Sequence, residues 1–300
     1  MIFRYLTFIG LMFMISKLGY SQLNELSSNI NNLMKDFSGE YSIYFEDVID
    51  SNLRFALNEN EFFHAASTMK TPVMLEVLKQ AEEGKFQLDD SIKVINKFNS
   101  IVDGSEYSLD IADDSGEDLY SEIESYKTIK ELIVDMITNS GNLSTNILIN
   151  LVSSASVMTT LKEHNISSLN VLRGVQDLKA FDAGLNNTLT ASSLGKLFLM
   201  VAKKQYFSET VCDKAIEILL MQNHRSVIPK LLPKEIKVAN KTGSITGVNH
   251  DSGIIYLPNG ESYVLVILGK NIEDKKSGVD KQAQLSKLIF DKYLEMKKMK

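Results

Sequence analysis

Segments with the composition of β-strands lie at the two ends of this 300-residue chain, and the stretch between them mostly has the periodicity of helices. Two short runs rich in aromatic and β-branched residues precede residue 60, and three follow residue 235. The predicted strands are 41–45, 53–57, 236–239, 252–257 and 262–268. We therefore expect the strands from both ends to pair with one another in one antiparallel sheet.

Helices are predicted to cover this sheet. Residues 22–37 and 279–298 each carry apolar residues on one face. We expect an α+β fold in which an all-α lobe, about residues 67–220, is inserted into an α/β lobe formed by about 22–66 and 221–300. A cleft would lie between the two lobes of this single domain, which begins at residue 22 and is expected to be a monomer.

The first 21 residues have the pattern of a secretory signal peptide. The start is positively charged through Arg4, an apolar run covers residues 5–15, and the small residues Gly19 and Ser21 precede a cut before residue 22. This run is too short to cross about 30 Å of hydrocarbon easily, so an uncleaved membrane anchor is the weaker alternative. We expect an exported protein, periplasmic or secreted, with no stable membrane insertion after cleavage.

Composition excludes several classes of function. The net charge of −6 provides no basic surface for nucleic acid. A single cysteine, Cys212, excludes both a disulfide framework and a metal site of several thiolates. The four histidines lack the spacing of a zinc hydrolase, so such a site is not indicated. Residues 103–126 hold nine acidic residues and no Lys or Arg, which we interpret as a solvated surface loop rather than a calcium site.

A Ser-x-x-Lys motif, Ser67-Thr68-Met69-Lys70, opens an apolar helical segment. Ser67 and Lys70 are three positions apart and share a helix face, where a lysine of lowered pKa could take the proton of the serine hydroxyl. The helix N-terminus would place partial positive charge near that hydroxyl. The motif is weak by itself, because Ser193 and Lys196 repeat its spacing, which we interpret as coincidence.

Two further motifs follow along the chain. Ser140-Gly141-Asn142 ends an apolar helical segment and could present a hydroxyl and a carboxamide to a cleft, although these residues also favour an ordinary capping turn. Lys241-Thr242-Gly243-Ser244 follows the strand predicted at 236–239. Its cation, hydroxyl and glycine would suit a substrate carboxylate, and the plainer interpretation is a turn at a strand end.

The three motifs S-x-x-K, S-x-N and K-T-G occur in the order that marks the penicillin-recognising serine hydrolases. After residue 21 the chain resembles class A β-lactamases over essentially its whole length, especially in the runs 136–142 and 232–244. The resemblance implies that family's α/β lobe and all-α lobe and no cofactor. It also implies a small-molecule partner, either a β-lactam or a peptidoglycan peptide.

The resemblance implies catalytic roles for four residues. Ser67 would attack the amide carbonyl and become acylated, with Lys70 as its base or proton relay. Ser140 would pass a proton to the leaving nitrogen. The backbone N–H groups of Ser67 and Ser244 would form the oxyanion hole, where each donor is worth on the order of 10²–10³ in rate.

Binding roles are implied for the remaining motif residues. Asn142 would hold the side-chain amide of the substrate, and Lys241 and Thr242 would bind its carboxylate beside Gly243. The arginine that often helps to fix this carboxylate in the family is missing from the strand after the K-T-G motif. Arg225 is only a distant candidate for that function.

The largest departure from the family concerns the base that activates the deacylating water. Class A enzymes carry a Glu on a loop that here spans residues 172–182, and the usual Glu-Pro-x-Leu-Asn pattern is missing. Gln176 cannot act as a base, and Asp177 could serve only if the loop is rearranged. Asn146, which supports that Glu in the family, is retained. Gly141 stands where an Asp is usual.

Three functions remain open at this point. The first is a β-lactamase that hydrolyses the lactam amide through Ser67. The second is a penicillin-binding D-alanyl-D-alanine carboxypeptidase, or a related peptide or ester hydrolase, with slow or absent lactam turnover. The third is a non-catalytic cell-wall-binding or sensor domain, against which the intact Ser67, Lys70 and Lys241 argue.

Overall fold

The computed structural model describes residues 24–298, so the signal peptide expected at residues 1–21 lies outside the described residues. The strands in chain order are β1 (Glu40–Asp47), β2 (Arg54–Leu57), β3 (Phe63–His64), β4 (Ser91–Lys93), β5 (Phe98–Asn99), β6 (Glu106–Tyr107), β7 (Tyr126–Thr128), β8 (Leu169–Asn170), β9 (Thr188–Leu189), β10 (Lys237–Ile245), β11 (Val248–Tyr256) and β12 (Ser262–Lys270). Five of them form an antiparallel sheet in the order β10-β11-β12-β1-β2. The prediction of one sheet built from both ends of the chain is therefore confirmed.

Strand β1 joins the two ends of the chain within this sheet. Tyr44 on β1 lies opposite Ala56 on β2 and opposite Val266 on β12. Strands β10 to β12 follow one another as consecutive antiparallel neighbours. Because β1 pairs with β12, the sheet can form only after residues about 220 positions apart in the chain have met. Pairing between such distant segments is slow.

The helices are α1 (residues 24–34), α2 (Lys70–Glu82), α3 (Ile129–Thr138), α4 (Asn142–Val152), α5 (Ser154–Glu163), α6 (Leu178–Asp182), α7 (Ala191–Ala202), α8 (Glu209–Leu220) and α9 (Lys275–Lys298). The terminal helices α1 and α9 share an apolar core with one face of the sheet, through residues such as Leu26, Ile289 and Leu265. This confirms the expected cover of the sheet by the two terminal helices.

Helix α7 packs against the opposite face of the sheet, against β1, β11 and β12. Gly195 lies at this contact, where a Cβ atom would meet the Tyr44 ring at 2.3 Å. The same apolar core continues from the sheet residues into helices α2 to α5 and α8. The sheet is thus covered by helices on both faces, which explains why its central strands are almost wholly buried.

The middle of the chain is mostly helical, as expected, but it also contains short strands. Strands β4 and β7 form one two-stranded ladder, β5 and β6 form another, and β3-β9-β8 form a third sheet. These strands are two or three residues long and carry too little apolar periodicity to be recognised from sequence. They fasten the loops on either side of the helices.

The K-T-G motif was predicted to follow a strand, but in the structure it lies inside one. Strand β10 extends from Lys237 to Ile245, so Lys241 to Ser244 are paired with β11, with Lys241 opposite Ser252. The predicted strand ended too early because Asn240 and Lys241 are polar. Both side chains are nevertheless fully buried, where Asn240 Nδ2 donates to Asp251 Oδ1 and Lys241 Nζ donates to Ser140 Oγ.

The acidic segment 103–126 is only partly the solvated loop that composition indicated. Asp114 is buried, and its carboxylate accepts hydrogen bonds from the backbone N–H groups of Asn142 (2.8 Å) and Leu143 (3.0 Å) and from the hydroxyl of Tyr120 (2.9 Å). The segment therefore places a carboxylate at the N-terminus of α4, where the unpaired N–H groups and the helix dipole favour negative charge. Its apolar residue Leu119 is buried as well.

We expect the substitution Gly195→Ala to destabilise the protein, although alanine is the better helix former. The added methyl group would overlap the Tyr44 ring between α7 and the sheet. Overpacking of this kind costs about 1–3 kcal/mol. Urea unfolding would measure the change, with Lys196→Ala at the next, exposed position as the matched control. An unchanged or raised free energy of unfolding for Gly195→Ala would contradict the close packing of α7 on β1.

Candidate active site

The residues of the three motifs meet around one cavity of about 400 Å³. The turn before α2, the turn between α3 and α4, and strand β10 form one side of it, and the loop that leads into α6 forms the other. The motif residues that line it directly are Ser67, Ser140, Asn142 and Ser244. Lys70 and Lys241 lie behind this lining and are fully buried.

Ser67 belongs to a short 3₁₀ turn, Ala66–Met69, that leads directly into α2 at Lys70. Ala66 has a φ of +44°, a left-handed conformation that costs a residue with a Cβ atom about 1–3 kcal/mol. Thr68 stabilises the turn by donating its N–H (3.1 Å) and its hydroxyl (2.6 Å) to the carbonyl of Ala65. The turn holds Ser67, half-buried, in the cavity wall.

Lys70 is fully buried, and the three hydrogen bonds of its amine all go to the Ser140 turn. Nζ lies 2.6 Å from the Ser140 carbonyl oxygen, 2.9 Å from Asn142 Oδ1 and 3.3 Å from Ser140 Oγ. Burial lowers the pKa of Lys70 to about 7, against the opposing effect of the Asp114 and Asp135 charges. An amine with such a pKa can act as a general base near neutral pH.

Lys241 reaches the same serine hydroxyl from the sheet. Its Nζ lies 2.9 Å from Ser140 Oγ and 2.9 Å from the Thr242 carbonyl oxygen. Burial, together with the nearby positive charge of Lys70, lowers the pKa of Lys241 well below its ordinary value. The Ser140 hydroxyl therefore lies between two buried amines, and these three groups form a continuous path for a proton.

Gly243 brings strand β10 close to the turn that contains Ser67. A Cβ atom on residue 243 would lie 3.0 Å from the backbone nitrogens of both Ser67 and Thr68. A larger residue would push the strand away from the turn, so glycine is required here for close approach rather than for an unusual backbone angle. Ser244, the next residue, is exposed at the cavity wall.

Gly141 leaves room for the carboxylate of Asp135. A Cβ atom on residue 141 would lie only 2.1 Å from Asp135 Oδ2 and 2.7 Å from Ser144 Oγ. Asp135 in turn accepts hydrogen bonds from Ser144 Oγ (2.7 Å) and Asn139 Nδ2 (3.0 Å). An Asp at position 141 would bring a negative charge into this space. Here Asp135 of α3 supplies the charge, and its carboxylate occupies the space that a side chain at position 141 would enter.

Asp177, the carboxylate that could serve as a base only if the loop is rearranged, lies in the cavity wall, where both of its oxygens accept hydrogen bonds. Its Oδ1 accepts hydrogen bonds from Ser100 Oγ (2.8 Å) and Ala180 N (3.1 Å), and its Oδ2 accepts one from Ile101 N (3.0 Å). The side chain is 1% exposed and caps the N-terminus of α6. Both oxygens therefore hold the loop to Ser100 and Ile101 and stabilise the first turn of α6.

The side chain of Asn146, on α4, holds the loop by two hydrogen bonds to the backbone of Val175. Asn146 Oδ1 accepts the N–H of Val175 at 2.6 Å, and Asn146 Nδ2 donates to the Val175 carbonyl at 3.0 Å. Gln176, with a φ of +58°, also lines the cavity, and its carboxamide bonds the backbone N–H and carbonyl of Asp110. Val175, an apolar residue, therefore lines the cavity at the point where Asn146 contacts the loop.

Two groups of functional interest were not identified from the sequence. Asp251, on β11, is fully buried and accepts hydrogen bonds from Ile228 N, Asn240 Nδ2 and Ser252 N. Burial raises its pKa to about 6, and its charge in turn favours the charged form of Lys241. The second is His64, which lines the cavity three residues before Ser67. No motif contains either residue, so only the fold reveals them.

The sequence lacks the arginine that often helps to fix the substrate carboxylate in the family, and the distant candidate Arg225 does not take its place in the described cavity wall. Arg225 is exposed and is not part of the lining. Arg173 does line the cavity, but its guanidinium donates to Leu185 O, Gly174 O and Asn186 Oδ1.

Among residues 24–298, no group of three or more His, Cys, Asp or Glu side chains could hold a metal ion, and no helix is long and apolar enough to span a bilayer.

Comparison with known proteins places this geometry in context. The model of a family described as the β-lactamase enzyme family matches residues 25–293. The β-lactamase VEB-1 of Pseudomonas aeruginosa is 22% identical over 290 residues, which cover 91% of this chain and 92% of that protein.

Solved structures share the fold. TLA-1, an extended-spectrum β-lactamase, is 20% identical with a TM-score of 0.77, over 90% of this chain and 98% of its own. A mutant of PBP-A, solved as an acyl-enzyme complex with penicillin G, is 23% identical with a TM-score of 0.75, over 91% of this chain and 97% of its own. At this level of identity the two structures support the fold alone.

We expect Gly141→Ala to destabilise the protein by about 1–3 kcal/mol, because its methyl group would overlap the Asp135 carboxylate. Asp135→Ala removes that overlap, so the double variant should lose less stability than the sum of the two single variants. Urea unfolding of the four proteins in the cycle would measure this coupling. Strictly additive losses would show that Asp135 does not occupy the space of the missing side chain.

Proposed function

Because the chain belongs to the β-lactamase enzyme family, we propose that it is a serine hydrolase that opens β-lactams by acylation of Ser67. The observation that carries this proposal is the Ser140 hydroxyl held between the buried amines of Lys70 and Lys241, beside the cavity that contains Ser67. We further propose that the protein is exported, periplasmic or secreted, and acts as a monomer without metal or cofactor.

In the acylation step that we propose, neutral Lys70 removes the proton of the Ser67 hydroxyl. The oxygen attacks the lactam carbonyl, and the backbone N–H groups of Ser67 and Ser244 stabilise the oxyanion. The C–N bond of the lactam then breaks, and Ser140 gives its proton to the leaving nitrogen. Lys241 or Lys70 restores the Ser140 proton along the hydrogen bonds that already connect the three groups.

Substrate binding is assigned to the groups on either side of Ser67. Asn142, whose Oδ1 accepts from Lys70, would contact the side-chain amide of the substrate. Lys241 is buried behind Ser140, so it would attract the substrate carboxylate mainly through its charge. The hydroxyls of Thr242 and Ser244 would make the direct contacts, on a strand that Gly243 brings close to the nucleophile.

Deacylation is expected to be slow. Both carboxylate oxygens of Asp177 bond other groups, and Val175 presents an apolar side chain at the part of the loop that faces α4. A water near the acyl ester would therefore lack a basic carboxylate from this loop. This observation favours a second candidate function, a penicillin-binding D-alanyl-D-alanine carboxypeptidase or related hydrolase with slow or absent lactam turnover.

Mass spectrometry of the intact protein with penicillin G tests both candidates. We expect an adduct on Ser67 that forms within the mixing time of a manual experiment and disappears more slowly than it forms. Ser67→Ala should form none, and Ser208→Ala, at the N-terminus of α8 and outside the cavity lining, is a matched control.

The outcomes separate the alternatives. Rapid loss of the adduct with release of penicilloate would show an efficient β-lactamase and contradict slow deacylation. Release of D-alanine from a peptidoglycan peptide, abolished by Ser67→Ala, would support the carboxypeptidase. If no reagent modifies Ser67, both enzymatic proposals are wrong and the non-catalytic binding domain remains.

Acylation should also depend on pH through Lys70. Only the neutral amine can accept the serine proton, so the acylation rate should fall about tenfold per pH unit below about 7, the pKa to which burial lowers this amine. Asp135 favours the charged form of Lys70, so Asp135→Asn should shift the fall in acylation rate to lower pH. The rate of adduct formation between pH 5 and 8 would measure both effects. If the acylation rate of Asp135→Asn falls at the same pH as that of the wild type, the electrostatic role of Asp135 is contradicted.

A further inference from the structure

His64 lies beside the nucleophile turn and makes an uncommon hydrogen bond with it. Its Nδ1 accepts the backbone N–H of Ala66 at 3.0 Å, two residues further along the chain. Ala66 is the residue with the left-handed φ of +44°, directly before Ser67. The imidazole therefore bonds the N–H of the strained residue that sets the direction of the Ser67 side chain, and it does so from the wall of the same cavity.

We infer that His64 is a positioning residue for the reaction at Ser67, whose imidazole Nδ1 holds Ala66 in its left-handed conformation. This inference rests on the proposed acylation of Ser67. The bond has the same span as that of an Asn or Asp side chain that accepts the N–H two residues on, a device that fixes tight turns. Histidine supplies here an acceptor of similar reach together with a ring that packs against its neighbours.

The rest of the structure holds His64 itself in place. Its carbonyl oxygen accepts a hydrogen bond from His250 Nε2 at 2.9 Å, and His250 Nδ1 accepts the N–H of Gly269 at 3.1 Å. Strand β3, which contains His64, pairs with β9 at the end of the cavity loop. The imidazole also lies edge-on to Phe181 of α6, with ring centroids 6.5 Å apart. The backbone of His64 is thus held by the sheet, and its ring packs against a residue of the loop.

The hydrogen bond requires a neutral imidazole. Since Nδ1 accepts, the proton lies on Nε2, which is buried and has no hydrogen-bond partner among residues 24–298. The titratable groups that act on the imidazole are Arg173 and His250, and Asp177 lies in the same cavity wall with both oxygens already bonded. Burial and the charge of Arg173 lower the pKa of His64 below its ordinary value, so the neutral form prevails at neutral pH.

Two substitutions at position 64 separate positioning from simple packing. His64→Ala removes the acceptor, so Ala66 should relax and Ser67 should be acylated about tenfold more slowly or worse, the effect of losing one oriented hydrogen bond. His64→Asn removes the ring but restores an acceptor that can reach the same N–H. We expect His64→Asn to be acylated within about threefold of the wild-type rate, because one hydrogen bond replaces another of similar strength.

A third substitution tests the link to Ala66. Glycine adopts positive φ values without steric cost, so Ala66→Gly should make the turn less dependent on the imidazole. We therefore expect His64→Ala to slow acylation less in the Ala66→Gly background than in the wild-type background. His164→Ala, at the C-terminal end of α5 and outside the cavity lining, is the control for loss of a histidine.

The experiment measures the rate constant of Ser67 acylation by penicillin G and the amide hydrogen exchange of Ala66 in each protein. Slow acylation and fast Ala66 exchange in His64→Ala, both restored in His64→Asn, would support the inference. Equal acylation rates in wild type and His64→Ala, or an Asn variant as slow as the Ala variant, would overturn it. If even the wild type is not acylated, the proposed function fails, and unchanged Ala66 exchange in His64→Ala would then overturn the inference separately.

Discussion

The burial of two lysine amines against one serine hydroxyl is the interaction on which the rest of this structure depends. Lys70 comes from the first turn of α2 and Lys241 from the middle of β10, and both reach Ser140. Buried charge is costly unless hydrogen bonds and opposite charges offset it. The fold meets this requirement with carboxylates placed around the amines, namely Asp114 and Asp135 near Lys70 and Asp251 near Lys241. These acids come from three different segments, so the buried amines are stabilised only when the whole chain has folded.

The departures from the family pattern become understandable in the same physical terms. Gly141 in the S-x-N motif creates space for the Asp135 carboxylate, so the negative charge is moved rather than lost. The acidic segment, which looked like a solvated loop, supplies Asp114 to the N-terminus of α4. The loop into α6 is different, because Asp177 is used as a helix cap and tie to Ser100, with no replacement base beside it among the described residues. The groups to which we assign acylation are thus present with compensating contacts, whereas this loop offers no free carboxylate for the proposed deacylation among the described residues.

Much of the fold and the main site residues could be predicted from the sequence. The five sheet strands and the terminal helices have strong periodic patterns, and the Ser67, Ser140 and Lys241 motifs have fixed local spacing. The prediction failed where local polarity gave the wrong answer. Strand β10 seemed to end before Asn240 and Lys241, because buried polar residues look like loop residues until their hydrogen-bond partners are known. The short strands β4 to β9 carry too few residues for a pattern.

By itself the sequence determined which chemical groups are available and in what order, because motif spacing within one turn or strand is a local property. Only the tertiary structure decided what these groups can do. The pKa of Lys70 depends on its burial and on Asp114 and Asp135, which are distant along the chain. The hydrogen bonds of Asp177 depend on Ser100 and Ile101, and the acceptor for the N–H of Ala66 belongs to His64, whose backbone carbonyl bonds His250 of a distant strand. Burial and long-range hydrogen bonds arise only when distant segments pack, and therefore no local pattern records them.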